Sequence, residues 1–171
     1  NAKNISTAAV LGAGTMGNGI AQVLATAGIT TRLYDVAPGQ VERGLANVRS
    51  NLEKGVAKGK VAQADMDAAL KRLSGTTNLQ EAIVGVQCVV EAVPEKLELK
   101  QTIFQELGNT LGPDVLLATN TSSLPITRIA SVTKHGERVV GMHFFNPVHI
   151  MKLVEVVQTD KSSDAAVQCA L

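Results

Sequence analysis

A histidine and a glutamate near the end of the chain could act as a base and the carboxylate that orients it. His143 is followed by Phe144 and Phe145, two of only four aromatic residues in the 171-residue chain. Apolar walls beside an imidazole exclude water and help hold its pKa in a useful range. Glu155 stands in an otherwise apolar run, where an acid is costly unless it is paired. The pattern predicts general-base chemistry, although a lone histidine on a strand could equally be structural.

Polar side chains also follow three predicted strands, at the edge where open α/β sheets bind their ligands. Glu95 and Lys100 follow one strand, Ser122 follows the next, and Asn146 follows the strand that ends at His143. We expect these loops to converge. Each also has a simpler interpretation, because Ser122 could cap the next helix, and Glu95 and Lys100 could be solvated helix residues.

A glycine-rich loop near the start of the chain predicts a dinucleotide site. It follows a short apolar run and opens a helical pattern, and its residues are Gly12, Ala13, Gly14, Thr15, Met16 and Gly17. Such a loop allows a tight turn and close approach of a pyrophosphate to a helix N-terminus. Asp35 ends the next strand, where its carboxylate can accept hydrogen bonds from a ribose. No Arg or Lys follows within apparent reach of a 2′-phosphate, which favours NAD over NADP.

The elements that must position these residues alternate between strands and helices. Strands are predicted at 8–11, 30–35, 73–76, 88–92, 115–119, 139–143 and 153–157. Helices are predicted at 17–27, 38–58, 63–72 and 97–111, the second and third forming a helical hairpin inserted at about 38–72. This order predicts an α/β fold, a doubly wound Rossmann-type sheet. The loop before the last strand is too short for a helical crossover, so that strand should be antiparallel.

Composition excludes several other classes of protein. The net charge is +1, so we expect no nucleic-acid partner, and the two cysteines, Cys88 and Cys169, lack metal-ligand spacing. The uncharged stretch Ala8–Ile29 contains five glycines, which argues against a membrane span. The cysteine usage suits a reducing compartment, and we expect a cytoplasmic protein without a bound metal.

Four blocks of the sequence resemble one enzyme family. They are Gly12–Ala21 (GAGTMGNGIA), Glu91–Glu95 (EAVPE), Asn120–Ile126 (NTSSLPI) and Gly141–Glu155 (GMHFFNPVHIMKLVE). In this order and spacing they resemble the L-3-hydroxyacyl-CoA dehydrogenases, and the block around His143 is the most specific. The resemblance covers essentially the whole chain, 1–171, as the NAD-binding domain of such an enzyme.

The resemblance implies reversible oxidation of an (S)-3-hydroxyacyl-CoA to a 3-ketoacyl-CoA with NAD, in fatty-acid β-oxidation or butanoate metabolism. His143 would take the proton of the 3-hydroxyl, Glu155 would orient His143, and Ser122 would bind the substrate oxygen near the cofactor. The nicotinamide ribose would be lined by Glu95, Lys100 and Asn146. By the same resemblance Asn51 and Lys58 would meet CoA, although a basic solvated helix face explains them equally well.

The family also has a helical C-terminal domain that closes the acyl-CoA cleft and forms a homodimer. We expect that domain to be absent from this sequence, and we therefore expect a chain that binds NAD with little turnover. Two alternatives stay open. One is a related hydroxyacid enzyme resembling L-gulonate 3-dehydrogenase, and the other is an NAD(H)-binding module without catalysis.

Overall fold

The computed structural model describes residues 5–94, 96–120, 126–134, 136–144 and 154–157. In chain order the elements are β1 (Thr7–Leu11), α1 (Thr15–Thr26), β2 (Thr30–Tyr34), α2 (Pro38–Ala57), α3 (Gln63–Arg72), β3 (Leu73–Thr76), α4 (Leu79–Ile83), β4 (Cys88–Glu91), α5 (Leu97–Thr110), β5 (Leu116–Thr119), α6 (Ile126–Ser131), β6 (Val139–Phe144) and β7 (Val154–Val157). Of the predicted site residues, Glu95, Ser122 and Asn146 lie outside the described residues, as does Cys169.

Seven strands form one sheet in the order β3-β2-β1-β4-β5-β6-β7. The first six strands are parallel, and the chain reverses its winding direction between β1 and β4. β7 runs antiparallel to β6. The predicted Rossmann-type α/β fold is confirmed. In such a sheet the ligand site lies beyond the carboxyl ends of the strands at the reversal point, here the ends of β1 and β4.

Both faces of the sheet are covered, because successive strand residues point to opposite sides. In β1, Ala8 and Val10 join the core cluster that contains Ile20 of α1, whereas Ala9 and Leu11 join the cluster on the other face. That second cluster includes buried side chains of α4, α5 and α6. β1, whose last four residues are buried, therefore carries the glycine-rich loop from the interior of the sheet.

The helices α2 and α3 form the hairpin between β2 and β3. Pro38 occupies the first turn of α2, where its missing N–H costs no helical hydrogen bond. A separate small core joins the hairpin to α1 through Ala25, Val48, Leu52, Met66 and Ala69. The hairpin is thus fixed to the helix that begins at the glycine-rich loop.

Candidate dinucleotide and catalytic site

The turn from β1 into α1 can be made only with glycine at two positions. Gly12 has φ +100°, and a Cβ there would lie 2.6 Å from the carbonyl oxygen of Ala92. A Cβ on Gly17 would lie 1.6 Å from the carbonyl oxygen of Gly12. Both contacts are with backbone, which cannot move aside as a flexible side chain could. The absence of a side chain at these two positions therefore allows the loop, α1 and the residues after β4 to approach each other closely.

Gly14 is different, because nothing in the protein occupies the place of its missing side chain. A Cβ on Gly14 would meet no atom within 4 Å, although this residue is the N-cap of a 12-residue helix. The first turn of α1 contains no acidic residue that would occupy its free N–H groups. The open space and the helix N-terminus together fit the pyrophosphate of a dinucleotide.

Asp35 lies directly after β2 and links two loops. Its Oδ2 accepts a hydrogen bond from the backbone N–H of Ala13 at 3.0 Å, and its Oδ1 accepts one from the N–H of Ala37 at 3.0 Å. Each carboxylate oxygen can accept a further hydrogen bond, so a ribose hydroxyl can still bind there. The ribose contact itself stays a prediction. The sequence did not indicate that Asp35 also holds the phosphate loop against the β2–α2 turn.

An open cleft of about 580 Å³ lies between the phosphate loop and α2. Its lining includes Gly14, Thr15, Asn18, Arg43 and Asn47. Arg43 corrects the argument that no Arg or Lys lies within reach of a 2′-phosphate. It lines the cleft beside the phosphate loop, and its guanidinium lies near Gly39. The preference for NAD over NADP must therefore rest on the carboxylate of Asp35, which would repel a 2′-phosphate.

The two residues predicted to meet CoA both belong to the region of α2. The Asn51 side chain is half-buried and donates a hydrogen bond to Gln22 Oε1 of α1 at 3.2 Å. Lys58 caps the C-terminus of α2 and is exposed. Asn51 is therefore already engaged within the protein, whereas Lys58 is available to a phosphate. Their role in CoA binding stays a prediction.

Lys100 is not a solvated helix residue, and that interpretation is wrong. Its side chain is 0% exposed and forms an ion pair with Glu91, whose side chain is also 0% exposed, with 3.0 Å between Nζ and Oε2. Thr119 Oγ1 donates to the same carboxylate at 2.6 Å, and the N–H of Val93 does so at 2.7 Å. Burial raises the pKa of Glu91 above its ordinary value, against the opposing effects of Lys100 and Thr119. The contact of Lys100 with the nicotinamide ribose stays a prediction, and its side chain is buried in this structure.

Backbone register brings the predicted base and its acid together. His143 of β6 lies directly opposite Glu155 of β7, although these residues are 12 apart in the sequence. Opposite positions are the closest cross-strand neighbours in an antiparallel pair. The sequence alone does not determine this register. The catalytic roles of His143 and Glu155 stay predictions.

The structure thus defines a Rossmann-type dinucleotide-binding domain with polar side chains at the ends of β4 and β5. Among the described residues, no group of three or more His, Cys, Asp or Glu could hold a metal ion. Within that same part of the chain, no helix is long and apolar enough to cross a bilayer.

Comparison with known proteins identifies the family. Residues 7–171 match the family described as 3-hydroxyacyl-CoA dehydrogenase, NAD binding domain. The chain is 45% identical over 149 residues to a probable 3-hydroxybutyryl-CoA dehydrogenase of Bacillus subtilis, covering 87% of this chain and 52% of that protein. It is 44% identical over 154 residues to the 3-hydroxyadipyl-CoA dehydrogenase of Escherichia coli K12, covering 90% of this chain and 32% of that protein.

A crystal structure of FadB2 from M. tuberculosis superposes with a TM-score of 0.94 at 41% identity, covering 98% of this chain and 59% of that chain. The chain therefore belongs to the 3-hydroxyacyl-CoA dehydrogenase family, of which it is the NAD-binding domain, and its cofactor is NAD. It spans about a third to three-fifths of the length of these relatives.

Proposed function

We propose that the protein containing this chain catalyses the reversible oxidation of an (S)-3-hydroxyacyl-CoA to a 3-ketoacyl-CoA. The observation that carries the proposal is the register of His143 against Glu155, on the strand next to β5 at the ligand edge of the sheet. Relatives at 44% and 45% identity are named for this chemistry on 3-hydroxyadipyl-CoA and 3-hydroxybutyryl-CoA. The pathway would be fatty-acid β-oxidation or butanoate metabolism.

The proposed reaction divides the work between cofactor and protein. When bound, NAD would supply the acceptor for the hydride that leaves C3 of the substrate. His143 removes the proton of the 3-hydroxyl as the carbonyl forms, and Glu155 holds the imidazole in the required tautomer and stabilises its cationic form. Ser122 donates a hydrogen bond to the substrate oxygen, while Glu95, Lys100 and Asn146 line the nicotinamide ribose. Asn51 and Lys58 bind the CoA moiety.

The proposal extends to parts of the protein beyond this chain. The relatives are about 1.7 to 3 times as long as the part that this chain matches. We propose that residues 1–171 form the NAD-binding domain and that a helical C-terminal domain closes the acyl-CoA cleft and forms a homodimer. The cytoplasm is the proposed location.

The test uses the full-length protein with His143→Ala. We expect turnover of (S)-3-hydroxybutyryl-CoA to fall by about 10²–10⁴-fold, because a positioned general base contributes that much to the rate. We expect NADH affinity to change by less than about twofold, since a residue that only moves the substrate proton adds little to cofactor binding. Both quantities are measured, turnover by NADH absorbance and binding by NADH fluorescence.

Other outcomes would favour the alternatives. Unchanged turnover in His143→Ala would remove His143 from the mechanism. Oxidation of L-gulonate by the unaltered protein, without oxidation of the acyl-CoA, would indicate a hydroxyacid dehydrogenase. Absence of turnover on either substrate, with tight NADH binding, would indicate a non-catalytic NAD(H)-binding module.

A further inference from the structure

The cleft beside the phosphate loop has a positively charged lining. Of the side chains that line it, Arg43 carries a charge and the others are neutral. Arg43 belongs to α2 and is exposed to solvent. Within the described part of the chain, its guanidinium forms no ion pair with a carboxylate. The cleft thus combines an unpaired cation with the N-terminus of α1, a combination that suits an anionic ligand.

The guanidinium of Arg43 lies at the start of α2, next to the turn between β2 and α2. It folds back along the helix, so that a Cβ on Gly39 would lie 3.5 Å from its Nη1 and 3.8 Å from its Nη2. Gly39 comes two residues after Ala37, whose N–H binds Oδ1 of Asp35. Two residues of chain span at most about 7 Å. The cation and the carboxylate predicted to bind the ribose therefore flank the same turn.

The phosphate loop lies on the other side of that turn. Oδ2 of Asp35 accepts a hydrogen bond from the N–H of Ala13, and Ala13 lines the same cleft as Arg43. Helix α2 packs directly on this loop, because a Cβ on Gly44 would lie 3.0 Å from the carbonyl oxygen of Ala13. Gly44 follows Arg43 in the chain, so this contact fixes the point from which the Arg43 side chain leaves the helix. The phosphate loop, Asp35 and Arg43 therefore meet at one end of the cleft.

The charges of Asp35 and Arg43 favour opposite forms of the cofactor. NAD and NADP differ only at the 2′ position of the adenosine ribose, which bears a hydroxyl in NAD and a phosphate in NADP. A carboxylate accepts a hydrogen bond from the hydroxyl and repels the phosphate, whereas an arginine binds the phosphate through paired N–H donors. Two backbone N–H groups hold the Asp35 carboxylate in place, whereas the exposed Arg43 side chain can turn toward a ligand.

We propose that Arg43 forms a latent subsite for the 2′-phosphate of NADP and that Asp35 alone excludes the phosphate from it. Arg43 is then a specificity-determining residue, whose effect emerges when the charge of Asp35 is removed. The inference goes beyond the NAD cofactor of the family. It does not depend on the acyl-CoA reaction, so its test measures binding alone.

The experiment compares the affinities of NADH and NADPH for the full-length protein, by titrations that follow the fluorescence of the reduced nicotinamide. Asp35→Asn removes the charge and keeps one carbonyl oxygen for a backbone N–H. Arg43→Gln removes the guanidinium, and the double variant combines the two changes. Arg49→Gln is the matched control, because it removes a cation from another exposed position of α2 that does not line the cleft.

We expect Asp35→Asn to bind NADPH at least about 10-fold more tightly than the unaltered protein, because a repulsion is lost and a charge-assisted pair with Arg43 forms. NADH affinity should fall by about 2- to 10-fold in the same variant, since the ribose hydroxyl loses a charged acceptor. Adding Arg43→Gln should weaken NADPH binding again by at least about 5-fold and leave NADH affinity within about twofold. Arg49→Gln should change neither affinity by more than about twofold, because a distant exposed charge is screened by salt.

Thermal melts by circular dichroism identify the variants that are folded. If Asp35→Asn does not fold, Arg43→Gln alone still tests the inference, because it should weaken NADPH binding at least about threefold more than NADH binding. The inference is overturned if a folded Asp35→Asn variant gains no NADPH affinity, or if the double variant binds NADPH as tightly as Asp35→Asn. It is also overturned if Arg43→Gln weakens NADH and NADPH in equal proportion, which would place Arg43 at the pyrophosphate that both cofactors share.

Discussion

At the scale of single residues, the glycines of the phosphate loop have two different functions. Gly17 is needed by the protein itself, because a Cβ there would lie 1.6 Å from the carbonyl oxygen of Gly12. Gly14 is not needed by the protein, because its missing Cβ leaves a space that no protein atom fills. That space fits the pyrophosphate of a dinucleotide, and this contact is a prediction. A substitution at Gly17 should therefore affect folding, whereas a substitution at Gly14 should affect cofactor binding.

Gly17→Ala and Gly14→Ala should consequently give different results. We expect Gly17→Ala to lower the free energy of unfolding by at least about 2 kcal/mol, because backbone must move to admit the methyl group. That loss corresponds to a fall in Tm of roughly 4–8 °C. Gly14→Ala should leave Tm within about 2 °C and weaken NADH binding at least about 10-fold, the equivalent of 1.4 kcal/mol.

Thermal melts and NADH titrations of the two variants make the comparison. A Gly14→Ala variant that binds NADH as tightly as the unaltered chain would show that the pyrophosphate does not approach this position. A Gly17→Ala variant with unchanged Tm would show that the loop can relax away from α1.

The buried pair Glu91–Lys100 shows what the sequence did and did not reveal about the site. Lys100 occupies a position on the apolar stripe of α5 that includes Leu97, Phe104 and Leu107, which marks it as facing the core. Glu91 ends an otherwise apolar strand, the same pattern that singled out Glu155. Together these two signals indicate a buried ion pair. Which charges meet could not be predicted, because it depends on the neighbouring positions of β4 and α5 in space.

At the scale of elements, the sequence was sufficient for the order and the approximate ends of the strands and the longer helices, whereas the short helices α4 and α6 were given no predicted bounds. The strand predicted at 88–92 spans Cys88–Glu91, and the helix predicted at 97–111 spans Leu97–Thr110. Apolar runs punctuated by glycine and proline define such boundaries locally. The register of β6 on β7 depends instead on tertiary packing, and no local pattern predicts it.

Arg138 joins two secondary-structure elements, a role that the sequence did not indicate. It lies just before β6, its side chain is 3% exposed, and it donates to backbone carbonyls of Gly108, Leu111, Gly112 and Lys134. Three of these carbonyls belong to the C-terminal end of α5 and the residues after it, where a cation is favoured by the helix dipole. One guanidinium thus joins α5 to the start of the strand that carries His143.

We expect Arg138→Met to lower the free energy of unfolding by about 2–4 kcal/mol, because buried carbonyls lose charged donors. Arg138→Lys should recover only part of the loss, since an ammonium cannot reach acceptors arranged for a planar fork. Urea denaturation measures the change, and Arg128→Met, at an exposed position of α6, is the control. Equal losses in Arg138→Met and Arg128→Met would contradict this account of the contact.

At the scale of the whole molecule, the groups that suit a dinucleotide lie together at one edge of the sheet. β1 and β4 are adjacent at the reversal point, and the phosphate loop, Asp35 and the Glu91 network all lie at that edge. The predicted acyl-CoA contacts Asn51 and Lys58 lie elsewhere, in the last turns of α2 and at its C-terminal end, and neither lines the cleft beside the phosphate loop. Cofactor binding and substrate turnover should therefore be separable properties.

The separation can be measured on the 171-residue chain beside the full-length protein. We expect the chain to bind NADH within about 10-fold of the affinity of the full-length protein, or 1.4 kcal/mol, because the contacts that hold the dinucleotide lie within it. We expect its kcat/KM for an acyl-CoA to be at least about 10²-fold lower, because orienting the substrate against cofactor and base contributes several kcal/mol to lowering the barrier. The chain contains no Trp, so NADH fluorescence can be followed without overlapping indole emission. A kcat/KM equal to that of the full-length protein would show that residues 1–171 already contain a complete acyl-CoA site, and the proposed C-terminal contribution would then be wrong.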